Sequence, residues 1–332
     1  MYNNFIDQGD DGMKQQAVLK VNTGLPNKTG LSHVLAYVKK YWYIYLLALP
    51  GTIHMIIFQY VPIYGILMAF KDFNYRKGII ASPWAGLKHF TALTLDHGFL
   101  LSVRNTLLIN LYSIVFGFTF IVLLALLINE INNMAYKKVV QTFVYLPHFL
   151  SWVVFAGLIT TVLLSPSEGI INRIIIYFGG DPVFYMSKPE YFQFIVVAAG
   201  TIKEAGFATI IYLAAIAGVN PELYQSAIID GAHRGHLMRH ITLPQIMPSV
   251  AVLLILRLAA LFQSNFEQIY TMYNPTVYDT GDVISTYMYR MGLLQGNLEQ
   301  GTAMGLVFGI IGLMLIVASN KFIKKMDVMG IF

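Results

Sequence analysis

Four ionisable side chains stand where apolar sequence surrounds them. Lys203 and Glu204 interrupt the run 194–218, Arg257 interrupts the run 246–266, and Glu267 lies just beyond it. Ionisable groups at membrane depth are costly, about 2.5–3.5 kcal/mol each at a span centre, so they face a cavity, pair with each other or meet a partner chain. On a cavity wall, Lys203 and Arg257 would offset the charge of an acidic solute. As structural groups, they would form an ion pair or a subunit contact. Phe207, Tyr212, Phe262 and Tyr270 belong to the same stretches and could stack on the rings of a ligand, although aromatics at helical spacing more often serve packing. His233, His236 and His240 recur at a spacing that brings imidazoles to one helix face, but no carboxylate or Cys completes a ligand set, and no metal is expected. The chain has 0 Cys, which excludes thiolate chemistry and disulfides. The sequence holds no G-x-x-x-x-G-K-[ST], so it cannot cradle nucleotide phosphates by that route.

The elements that position these groups are membrane spans. Of 332 residues, 56% are hydrophobic and 12% charged, against about 25% charged in a soluble domain. Six apolar runs approach or exceed the roughly 20 residues needed to cross a bilayer. They cover about 43–70, 107–128, 139–164, 194–218, 246–266 and 302–322. The first is long and holds Pro50 and Pro62; the third has Pro147 near its start. The expected fold is all-α. The formal charge of +5 sits beside apolar runs rather than on a soluble basic face, so it reads as topology and not as a nucleic-acid surface. Lys39, Lys40, Lys137, Lys138, Arg234 and Arg239 place both termini and the 220–244 loop in the cytoplasm under the positive-inside rule, although the loop Lys71–Arg104 runs against it. Residues 1–40 are polar and carry Asp7, Asp10 and Asp11; they read as a loosely packed tail without a cleavable leader.

The loop 220–244 is a polar insert with its own helix signals. Asn220 suits an N-cap, Pro221 the first helical position and Glu222 the positive end of the helix dipole. Leu223, Ala227 and Ile228 form an apolar face, and Gly231 can take the left-handed conformation that ends a helix. A second short helix is expected from Arg234 to His240, stopped by Pro244. The residues alone allow two arrangements: a helical pair standing off the membrane, or an amphipathic hairpin lying on lipid.

Tyr224-Gln225-Ser226-Ala227, Asp230-Gly231-Ala232 and Ile241-Thr242-Leu243-Pro244 resemble the EAA loop of permease subunits of binding-protein-dependent ABC importers. One position departs: Gln225 stands where the family has an acid, which removes the charge available for a salt bridge there. Phe70-Lys71-Asp72-Phe73-Asn74, Arg104-Asn105-Thr106, Tyr145-Leu146-Pro147-His148-Phe149 and the run from Asp282 to Arg290 extend the resemblance to a branch that imports oligosaccharides, including pectic and alginate fragments.

The resemblance implies a type I importer permease, with six spans, half of a translocation path and no catalysis of its own. ATP and Mg²⁺ would be bound by two partner ATPase subunits. A second permease, an extracytoplasmic solute-binding protein, an oligosaccharide and the lipid bilayer complete the expected partners, in a bacterial cytoplasmic membrane. The ATPase-coupling residues would be Gln225, Ala227, Asp230, Gly231, Ala232, Arg234, Ile241, Leu243 and Pro244, with the three histidines adding polar contacts. The path candidates are Lys203, Glu204, Phe207, Tyr212, Arg257, Phe262, Glu267 and Tyr270. Residues 1–40 would be a cytoplasmic tail, 41–100 the first span and an external loop, and 101–325 the core. An ion-coupled secondary sugar transporter, a gated channel and a membrane enzyme are the alternatives; for the enzyme, no cluster of catalytic residues falls at one depth.

Overall fold

The computed structural model describes residues 37–263 and 266–325. The expected tail, with Asp7, Asp10 and Asp11, lies outside the described residues. Among those described there is no strand, only an isolated bridge between Lys71 and Trp84. The principal helices are α1 (Trp42–Phe70), α2 (His97–Asn129), α3 (Met134–Phe149), α4 (Trp152–Leu163), α5 (Pro189–Ala217), α6 (Pro221–Ile229), α7 (Arg234–Ala259), α8 (Phe266–Met272), α9 (Ile284–Met288) and α10 (Leu298–Lys325). By length and apolarity five of these can cross a membrane, and α3 with α4, bent by 105°, is long and apolar enough to make a sixth if the pair is one broken span.

Capping residues explain where the observed elements depart from the apolar runs. α2 begins ten residues before the expected span because Asp96 accepts a hydrogen bond from the Phe99 backbone N–H at 3.2 Å. Arg104, Asn105 and Thr106 therefore lie inside a helix, with Asn105 and Thr106 fully buried. The third span is not one helix. Asn133 caps α3 through the amides of Ala135 and Tyr136, and Ser151 caps α4 through that of Val154. Pro147 lacks an N–H, so the chain tightens over Leu146–Phe149 and breaks before Ser151.

α7 is also longer than expected. The helix foreseen from Arg234 to His240 is not stopped at Pro244 but continues unbroken into the fifth span. A wider turn over Met238–Thr242 precedes Pro244 and absorbs the bond its ring removes.

The described residues divide into two compact units, one up to Ile63 and one from Tyr64 onward. The second holds three buried apolar clusters. One gathers Trp152, Phe155, Phe192, Val196, Ile269 and Met272. Another gathers Ile121, Val122, Ala125, Tyr212, Ile216, Ile246 and Val250. The third joins Ala69, Leu93 and Phe99 to Tyr287, Ala303 and Met304. α5 belongs to the first two and is the axis of the unit. Within a bilayer, helices associate by close packing rather than by the hydrophobic effect, and small residues allow it. A Cβ at Gly117 would lie 2.7 Å from Thr201 Oγ1, and one at Gly206 would lie 2.4 Å from the Val144 carbonyl oxygen.

Candidate functional site

Polar side chains from α2, α5, α7 and α8 converge on one cavity of about 240 Å³. Asn110, Ser113 and Gly117 come from α2, Gly200, Thr201 and Glu204 from α5, Arg257 from α7 and Gln268 from α8, with Trp152 of α4 closing one side. Gly200 leaves room for the Gln268 amide, whose Nε2 would sit 3.0 Å from an added Cβ. That amide donates to the Val196 carbonyl at 2.6 Å. Asn110 donates to the carbonyl of Gln263 at 3.1 Å. The cavity thus offers hydroxyls, amides, one carboxylate and one guanidinium, an inventory suited to a small polyhydroxylated ligand.

Of the expected path residues, only Glu204 and Arg257 line this cavity. Glu204 faces the His148 ring, with 3.5 Å between Oε2 and Nδ1. Arg257 makes no salt bridge within the described residues. Lys203 is placed elsewhere. Only 5% exposed, it turns away from the cavity and donates to the carbonyls of Pro147, His148 and Leu150 at 3.5, 3.0 and 2.7 Å. Its charge is engaged at the chain break between α3 and α4, away from the cavity where a solute was expected to meet it.

The aromatics divide likewise. Tyr212 is 2% exposed and meets Phe118 edge-on at 6.2 Å, a packing role. Phe207 stacks flat on His148 at 4.8 Å. Phe262 packs against Phe308 at 5.9 Å. Tyr270 joins Phe266 and Tyr289 in an aromatic group, stacked on Phe266 at 5.0 Å. Glu267 is exposed, and its carbonyl accepts from Thr271 at 2.6 Å. Sequence reasoning missed Asn110, Ser113, Thr201 and Gln268, because uncharged polar residues in apolar helices carry no signal until the faces are aligned.

The second constellation is the loop after α5. Asn220 accepts from the Glu222 amide at 3.0 Å and starts α6 as expected. Gly231 has φ +83°. The Gly231 amide donates to Ile228 and the Ala232 amide to Ala227, at 3.0 and 2.9 Å, the paired bonds of a Schellman turn. The inward face of α6 differs from the one expected. Tyr224 and Ala227 turn in, whereas Leu223 and Ile228 are exposed. The Tyr224 hydroxyl lies 3.0 Å from Thr242 Oγ1, and Thr242 is 1% exposed, so α6 is pinned to the base of α7. Tyr224, Met238, Ile241 and Leu243 pack against the cluster that contains Tyr212, Ile216 and Ile246. Gln225, Asp230, Arg234 and Pro244 remain exposed, and Ala232 is half-buried.

The three histidines are engaged with one another. His233 caps α7 by accepting from the His236 amide at 3.3 Å. Its Nε2 lies 3.1 Å from His236 Nδ1, and the His236 and His240 rings stack at 4.7 Å.

Two further polar knots tie the start of α2 to the 278–290 segment and brace the loop after α1. Arg104 donates to the Asp279 carbonyl at 2.7 Å, Asn105 to those of Asp279 and Asp282 at 3.1 and 3.0 Å, and Thr106 accepts from the Ile284 amide at 2.9 Å. Arg290 pairs with Asp282 and covers the Tyr278 ring at 4.3 Å. Burial pushes the Asp282 carboxyl up, while the Thr286 hydroxyl and Arg290 act against it. On the loop after α1, Lys88 pairs with Asp72 at 2.8 Å, and that bond holds the Asp72 carboxyl below its ordinary value.

The arrangement of a polar cavity over a pinned polar helix-turn-helix coincides with a known family. The model described as "Binding-protein-dependent transport system inner membrane component" matches residues 117–327, which include the 220–244 loop and the cavity residues named above other than Asn110 and Ser113. The chain belongs to that family. It is 41% identical to the polygalacturonan/rhamnogalacturonan transport system permease protein YteP of Bacillus subtilis (strain 168), over 87% of this chain and 90% of that one. It is 39% identical to protein LplB of the same organism, over 91% and 95%. Among solved structures, it resembles a bacterial ABC transporter involved in the import of the acidic polysaccharide alginate, with TM-score 0.80 and 42% identity over 88% of this chain and 98% of that one. This family member is therefore a multi-pass permease.

Proposed function

We propose that this chain is one permease subunit of an ATP-driven oligosaccharide importer and that its solute is an acidic sugar fragment. The observation that carries the reading is the continuity of α5. The helix lines the polar cavity at Gly200, Thr201 and Glu204 and runs on to Ala217, about 20 Å away at about 1.5 Å per residue. Three residues later Asn220 opens α6. A displacement of the 220–244 loop therefore moves a wall of the cavity.

The loop is pinned to the bundle and presents Gln225, Asp230, Arg234 and Pro244 outward, which suits a lever seated in an ATPase subunit. ATP and Mg²⁺ are held by that partner, and a second permease and an extracytoplasmic solute-binding protein complete the complex. The loop, like both termini, lies on the cytoplasmic side. Support for an acidic solute comes from two sides. Relatives named for polygalacturonan and alginate share about two fifths of the sequence. Within the cavity, Arg257 is a cation with no salt-bridge partner among the described residues, and it can meet a carboxylate.

The test is co-purification of the chain with its partner set, followed by ATPase assays with binding protein loaded in turn with acidic and neutral oligosaccharides. Stimulation by loaded acidic fragments is expected. No stimulation by any loaded binding protein would overturn the reading.

A further inference from the structure

The apolar pair α3 and α4 is broken between Phe149 and Trp152, with a bend of 105°. A helix end leaves its last carbonyls without partners, and in hydrocarbon such groups must be satisfied from within the protein. Lys203 supplies what is missing. Its ammonium carries three N–H groups, and three carbonyls, of Pro147, His148 and Leu150, surround it. The same charge lies 5.3 Å from the Trp152 ring centroid, on the far side of the break. Both arms of the elbow are therefore held by one side chain in the middle of α5. Next to it, Gly206 admits the backbone of Val144 and Tyr145, Glu204 lies 3.5 Å from His148 Nδ1, and Phe207 stacks on the His148 ring at 4.8 Å.

We propose that Lys203 is a positioning residue that makes the α3–α4 elbow and α5 one rigid body, so that a displacement of the loop after α5 carries Trp152 with it. Trp152 and Glu204 then stay together on the cavity wall throughout the cycle. Without the ammonium, the three carbonyls have no common partner and the elbow flexes independently of α5. The transport part of this inference rests on the function proposed above; the mechanical part does not.

The chain has 0 Cys, so introduced pairs report cleanly. Phe143 on α3 and Val153 on α4 are each 70% exposed and straddle the elbow. Phe143→Cys and Val153→Cys, spin-labelled in the full complex in nanodiscs, give a distance distribution by pulsed electron resonance. One narrow distribution, the same with and without ATP, is expected with Lys203 and with Lys203→Arg. Lys203→Met is expected to broaden or shift it. In parallel, Lys203→Met is expected to lower sugar uptake per ATP hydrolysed by about 2- to 30-fold while hydrolysis continues. Should Lys203→Met fail to accumulate, Lys203→Gln is measured instead, and broadening is again expected. A distribution unchanged from the wild type in the variant measured overturns the proposal. An unchanged wild-type ATPase on every sugar would instead overturn the transport reading and leave the distance result decisive.

Discussion

Replacing Gly231 with valine isolates the turn of the lever from everything it touches. Gly231 has φ +83°, and a Cβ built there meets nothing within 4 Å. A clash at Cβ is therefore absent, and the penalty is chiefly backbone strain. Holding a non-glycine residue in the left-handed region costs about 1–3 kcal/mol, and β-branched side chains fall at the upper end. A tenfold change in an equilibrium corresponds to about 1.4 kcal/mol, so the closed turn loses roughly fivefold to a hundredfold in population relative to opened forms. Opening breaks the bonds from Gly231 to Ile228 and from Ala232 to Ala227. α6 then loses its fixed angle to α7, although Tyr224 and Thr242 still tether it. Asparagine tolerates the left-handed region better than other residues, so Gly231→Asn is the control. ATPase activity and oligosaccharide uptake are measured separately on the reconstituted complex. Gly231→Val is expected to keep the complex assembled and hydrolysing while uptake per ATP falls, with Gly231→Asn close to the wild type. Equal coupling in all three proteins would refute the lever.

Arg257→Met should reduce uptake of acidic oligosaccharides more than that of neutral ones, and equal losses on both would remove Arg257 from charge recognition. Gly206→Ala puts a methyl 2.4 Å from a backbone oxygen that cannot swing aside; overpacking of this kind costs about 1–3 kcal/mol, seen as a lower melting temperature of the purified complex. Asp72 gives a pH dependence. Its carboxyl is held below its ordinary value by Lys88, so the contribution is present above the unfolded value of about 3.9 and is lost as pH falls through the lower folded value. Melting curves should show Asp72→Asn lacking that acid-side loss, and identical acid profiles for variant and wild type would contradict the pair's role.

Local signals were legible in the sequence. Asn220 and Gly231 each have one physical reason to be where they are, a cap and a positive φ, and the structure uses both. Apolar run lengths located the crossings, but caps such as Asp96 and Ser151 decided where helices begin. Pro147 and Ser151 together announce the broken crossing; Pro147 alone was too weak a sign. Pro244 misled for the opposite reason, because a wider turn upstream let the helix pass through it. Lys203 was identifiable as costly but not as placed, since its partners lie more than 50 residues earlier in the chain. The face of α6 was misassigned because Tyr224 buries its ring and satisfies its hydroxyl on Thr242, a pairing no helical periodicity records.

The account is tested most directly by uptake into proteoliposomes that hold the chain with its second permease and ATPase subunits. Acidic oligosaccharide is presented on the loaded binding protein, with ATP inside and ionophores added to collapse every ion gradient. The account predicts uptake that requires ATP and binding protein and persists when the gradients are gone. Uptake abolished by the ionophores with ATP still present, or indifferent to the binding protein, would contradict it.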